Sequence, residues 1–147
     1  MVKVSSEVRA AVISGIVALI TTSLLINATL PHPAPQLRIS PSSSDGWVAV
    51  DTKACMAAKS GTLFRFELTA VGIDEVSILR MILNATNWSA PYVKDFQDLR
   101  LNSGDLLMLT YQWGVGRASP GHQANFTVTI VTVELPLQLL RFCVTYL

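Results

Sequence analysis

At 147 residues the chain has room for one domain of ordinary size with a helical appendage, and two full cores would not fit. Half the residues are hydrophobic, 14% are charged, and the mean hydropathy of +0.44 is that of a soluble domain with an apolar segment attached. Eleven basic residues against ten acidic ones leave a net charge of +1, too little for the basic stripe that phosphate neutralisation needs, so nucleic acid is excluded as a partner.

The first element runs from Ala10 to Ile26 without a charge, and its polar side chains, Ser14, Thr21, Thr22 and Ser23, can bond back to their own helix. Counted to Leu30 it reaches the ~20 residues that span a hydrocarbon core, with Asn27 among the headgroups. Pro31, Pro33 and Pro35 then end it, because each lacks a backbone donor and restricts the residue before it. Lys3 and Arg9 precede the run and no basic residue follows until Arg38, so the positive-inside rule holds the N-terminus in the cytoplasm and the rest of the chain outside. Residues 1–30 are therefore read as a leader and hydrophobic helix. Three fates are open to it: a secretory signal cut near Ile26-Asn27-Ala28, an uncleaved transmembrane anchor, or a processed helix that is kept.

The third fate comes from a resemblance. The stretch "VRAAVIS" resembles the processing site of class III signal peptides in archaeal type IV pilin-like proteins, in which a basic residue and a small residue precede the cut and the hydrophobic helix is retained. The resemblance implies that Arg9 and Ala10 stand before the cut and that Ala11 begins the mature helix. In a filament it implies helices packed side by side, with Gly15 and Ala18 permitting close approach.

Residues 31–46, "PHPAPQLRISPSSSDG", shift to Pro and Ser and read as a linker that offers little to a core. From residue 47 to 147 the apolar period changes to two. After "WVAVD" at Trp47 to Asp51, "TLFRFELTAV" puts Phe64, Phe66, Leu68 and Ala70 on one face and Arg65, Glu67 and Thr69 on the other. "EVSILRMIL" reads as a more apolar strand, and "LNSGD" as a turn into "LLMLTYQW", where Leu107, Leu109, Tyr111 and Trp113 share a face. A Gly-rich loop, "GVGRASPGHQ", precedes "NFTVTIVTV" and "LQLLRFCVTY", which pair as a hairpin about Glu134, Leu135 and Pro136. Six or seven short strands with no amphipathic helix between them predict a mainly β fold: an N-terminal transmembrane or filament-core α-helix followed by an antiparallel Ig-like β-sandwich.

The C-terminal part carries a second resemblance. A strand, "LNSGD", an apolar strand and a Gly-rich loop leading to "ANFTVTIVTVELPLQLLRFCVTY" are similar to the heads of archaeal pilin-like and archaellum-accessory proteins. The likeness covers the leader and about the last fifty residues.

Cys55 and Cys143 form no C-x-x-C pair, which removes a zinc knuckle and a thioredoxin-type motif. In an exported domain a single disulfide is the natural reading, and two buried free thiols are the alternative. If the first and last strands are neighbours, the bond fastens the two ends of the domain together.

Little in the chain points to catalysis. A blue-copper centre needs a cysteine with histidine and methionine in one ligand loop, yet Cys143 is followed by Val144, Thr145, Tyr146 and Leu147 and no histidine stands near Cys55. His32 lies among prolines and His122 in the Gly-rich loop. Neither a Gly-x-Ser-x-Gly elbow nor a phosphate-cradling loop occurs, and Asp95 and Asp98 in "VKDFQDLR" read as a solvated loop pair. No enzyme, metal or cofactor is expected. The better signal is N-glycosylation: Asn27, Asn84, Asn87 and Asn125 all stand in acceptor sequons, four of five asparagines. Trp88 and Tyr92, in "NWSAPY", either cap the core or contact a neighbouring subunit.

These features lead to the expectation of a membrane-anchored extracellular structural or adhesive protein, a type IV pilin-like filament subunit or an archaellum or pilus accessory. Its partners are the membrane, other copies of itself or other pilus subunits, and a surface layer. The competing expectation is a ligand-binding or sensory ectodomain without catalysis.

Overall fold

The computed structural model describes residues 33–114 and 119–147. The hydrophobic helix, the processing residues Arg9, Ala10 and Ala11, the packing residues Gly15 and Ala18, and Asn27 and His32 all lie outside the described residues. Among the described residues no helix is long and apolar enough to cross a membrane.

Among the described residues nine strands follow one another: β1 (Gln36–Ser43), β2 (Trp47–Val50), β3 (Lys53–Ala58), β4 (Leu63–Val71), β5 (Glu75–Ala85), β6 (Tyr92–Asn102), β7 (Leu107–Gln112), β8 (Gln123–Thr132) and β9 (Gln138–Tyr146). They form a three-stranded sheet in the order β1-β4-β7 and a six-stranded sheet in the order β2-β3-β9-β8-β5-β6. The alternation read in "TLFRFELTAV" is what builds the interface between them. Phe64, Phe66 and Leu68 of β4 are fully buried against Phe126, Val128 and Ile130 of β8 and Met81 and Leu83 of β5 in one continuous core. Each such side chain contributes on the order of 1.5–3 kcal/mol by leaving water.

Three expectations are corrected. The linker assigned to residues 31–46 is strand from Gln36 to Ser43: β1 pairs antiparallel with β4, and Leu37 enters the core. Its Ser and Pro content suits an edge strand, where one row of backbone groups faces water and Pro41 need not donate to a second neighbour. The sheet arrangement is not wholly antiparallel, because β3 runs parallel to β9, with Met56 opposite Val144 and Ala58 opposite Tyr146. "VKDFQDLR" is no loop but the middle of β6, the outer strand of the larger sheet. Its one-sided cover leaves Phe96 and Leu99 partly buried and the intervening charges wet, which blurs the period of two.

The connections follow their residues. At Gly104 the backbone turns left-handed (φ +84°), as only glycine does without strain, while Asp105 N donates to Asn102 O at 3.1 Å. The β8–β9 turn works without glycine: Leu135 folds inward and is 8% exposed, its amide donating to Thr132 Oγ1 and its carbonyl accepting from the same hydroxyl, each at 3.1 Å. The serines after Pro41 stitch the β1–β2 turn to the β3–β4 turn. Ser43 Oγ donates to Ala57 O at 2.6 Å, Leu63 N donates to Ser44 Oγ at 2.9 Å, and Thr62 Oγ1 donates to the Asp45 carboxylate.

Candidate functional site

The outer face of the six-stranded sheet gathers the sequence-predicted residues. On β5, the residues that alternate with the buried ones end at Asn84, which is exposed. On β8 the same parity exposes Asn125, and on β9 it brings Arg141 and Cys143 outward. Register does the rest: Asn84 stands opposite Thr127, Thr127 opposite Arg141, and Asn125 opposite Cys143. The two sequon asparagines are thus diagonal neighbours on adjacent strands. Thr86, the acceptor-defining threonine of the first sequon, is bonded to the second: Thr86 N donates to Asn125 O at 3.0 Å, and Asn125 N donates to Thr86 Oγ1 at 3.4 Å. Asn87 is also exposed, in the turn after β5, where its side-chain amide donates to the Tyr146 hydroxyl at 3.5 Å. Burial pushes that phenol's pKa up.

Cys55 and Cys143, 88 positions apart in sequence, are joined in a disulfide that bridges β3 and β9 at the start of their parallel pairing. Cys55 is buried. The bond ties β3, the third strand, to β9, the last one.

Beside the disulfide opens a groove of about 720 Å³ whose lining includes Lys53, Ala54, Asn84, Asn125, Thr127 and Arg141. Lys53 and Arg141 have no ion-pair partner among the described residues, so the groove is cationic. Sequence reasoning did not find this pair. The parity of "LLRFCV" places Arg141 on the Cys143 face, but only the parallel β3–β9 pairing brings Lys53 to it.

The remaining candidates are dispersed. Asp95 pairs across strands with Arg80 and not with Asp98, whose backbone is left-handed (φ +52°) beside the β5–β6 register shift. His122 Nδ1 lies 3.2 Å from Ser119 O in an exposed turn. Among the described residues no group of three or more His, Cys, Asp or Glu side chains is placed to hold a metal ion. Trp88 caps the core: it packs edge-on to Phe126 at 5.4 Å and lies 5.5 Å from Trp113, while Tyr92 stacks obliquely on Tyr111 at 4.6 Å. Burial also raises the Tyr111 pKa.

No known family and no curated protein matches the chain. Among solved structures it is similar to the CARDB domain of a Pyrococcus furiosus protein, crystallised in complex with di-metal ions, at 13% identity and a TM-score of 0.51 over 81% of this chain and 94% of that one. The likeness is one of fold, and it places the described residues among two-sheet, Ig-like β-sandwiches.

Proposed function

We propose that this chain is a membrane-anchored extracellular structural or adhesive protein, similar to type IV pilin-like subunits or to the accessories that tie such filaments to the envelope. The observation that carries the reading is the convergence on one sheet face of a disulfide and two exposed sequon asparagines, Asn84 and Asn125, with Asn87 close by. Disulfides persist in oxidising compartments and sequons are used only outside the cytosol, so two independent chemistries agree on an outward head. The charge asymmetry around the apolar leader supports the same orientation. In the filament form the helix beginning at Ala11 leaves lipid for the filament core, with Gly15 and Ala18 at the contacts. In the accessory form it stays in lipid and the head meets a partner or surface layer.

Mass spectrometry of the protein from its native cell tests this. The expected result is an N-terminus at Ala11, an oxidised Cys55–Cys143 pair and glycan on at least one of Asn84, Asn87 and Asn125. An intact Met1 leaves the anchored accessory, a start at Thr29 leaves a secreted domain, and a cytosolic protein with two free thiols sinks the reading. The second reading, a ligand-binding ectodomain, is favoured by the cationic groove between Lys53 and Arg141, whose Asn and Thr side chains suit a hydroxylated, acidic ligand. Glycans on Asn84 and Asn125 would fill that groove, so their detection also decides between the two readings.

A further inference from the structure

Among the described residues four strands lie at the sheet margins, and three are blunted against pairing. β1 carries Pro41, β2 has only four residues, and β6 carries Lys94, Asp95, Asp98 and Arg100 with the left-handed Asp98 twisting its edge. β7 has none of these devices. From Leu106 to Gly114 there is no charge and no proline, and Leu106 and Met108 are 62% and 47% exposed.

The direction of its free backbone groups follows from one bond. Trp113 N donates to Thr62 O at 2.7 Å, so the backbone of Trp113 is turned toward β4. In an antiparallel ladder this alternates, so Tyr111, Leu109 and Leu107 also face β4, while Met108, Thr110 and Gln112 aim both N–H and C=O the other way. Those three residues are exposed, and β4 is the sole strand paired with β7 among the described residues.

We propose that this margin is a self-association site: two copies of the chain pair β7 to β7 antiparallel about a two-fold axis at Thr110, joining two three-stranded sheets into one of six. The occupant is a second copy because the strand is complementary to itself. Centred on Thr110, Met108 faces Gln112 of the second copy and Leu106 faces its Gly114, so each outward N–H meets a C=O and no charges are opposed. On the core side, the half-buried Tyr111 meets Leu109 of the second copy, which extends the aromatic cluster across the junction. A strand without charge has no means of selecting a charged partner. The inference stands apart from anchoring and glycosylation, and holds whichever N-terminus the mature chain has.

Single cysteines at positions 108, 110 and 112 in the full chain, purified in detergent, test it. The native cysteines are paired, so each variant has one free thiol. In the inferred register the two Thr110 Cα atoms lie ~5.5 Å apart, within disulfide reach, whereas the two Met108 positions are separated by ~13 Å. Under mild oxidation Thr110→Cys should cross-link roughly tenfold faster than Met108→Cys or Gln112→Cys alone. Mixing the latter two should restore cross-linking between them. In sedimentation the unmodified chain should be dimeric, and Thr110→Lys monomeric with an unchanged circular dichroism spectrum. Equal cross-linking at all three positions, a monomeric unmodified chain, or a dimer that survives Thr110→Lys overturns the proposal.

Discussion

Asp45 shows how one side chain holds two turns together. Its carboxylate accepts the Thr62 hydroxyl and lies 3.5 Å from Lys59 Nζ, and these contacts, the Thr62 bond first, hold its pKa below the ordinary 3.8. Thr62 Oγ1 in turn accepts Lys59 N at 2.7 Å, so the hydroxyl is used in both directions. A carboxyl with a depressed folded pKa stabilises fully above its unfolded value and loses that contribution as pH falls through the folded one. Asp45→Ala should therefore lower stability by about 1 kcal/mol at pH 7, and the gap between the two proteins should narrow as pH falls below the ordinary value of 3.8. Urea melts of both proteins at pH 7 and pH 3 measure it; a gap that is the same at both pH values would show that the charge is not involved. Nothing in "SSSDG" signals this role by itself, because the partner hydroxyl is 17 residues away in sequence.

At the scale of strands, β1 is the sharpest test of what belongs to the head. Leu37 is 5% exposed within it and faces Ala70 of β4. Leu37→Ala should cost about 2–3 kcal/mol in a chemical melt, while Arg38→Ala on the wet face should stay within ~0.5 kcal/mol. Equal, negligible effects would return residues 36–43 to the linker. The strands most legible are those with one face dry and one wet: β4, β7 and β8 keep a strict period of two, and β9 keeps it through its first half before burying Val144, Thr145 and Tyr146 in succession. β1 was not, since its apolar positions are Leu37, Ile39 and Pro41 among serines, and β6 was not, since charge interrupts its half-covered face. Parallel pairing of β3 with β9 leaves no trace in local periodicity, as both strands would show the same alternation in either direction. For that reason the sequon asparagines were found but the groove beside them was not: the first needs a three-residue motif, the second a register.

Across the whole molecule the Cys55–Cys143 bond carries the longest constraint. It links positions 88 residues apart, and closing a loop of that length is worth roughly 4–5 kcal/mol in the chain-entropy account. Reduction should lower the thermal midpoint by roughly 15–25 °C, read as the difference between melts with and without a thiol reductant. An unchanged midpoint would mean that the sheets hold β3 and β9 together unaided. The position of β9 has a further consequence. It is the last strand in the chain yet sits in the interior of the larger sheet, between β3 and β8. The β2–β3 hairpin has no neighbour in that sheet until residues through Tyr146 arrive, so a growing polypeptide cannot complete the head piecemeal during synthesis. The larger sheet therefore closes last, when β9 enters between two strands that both precede it in the chain.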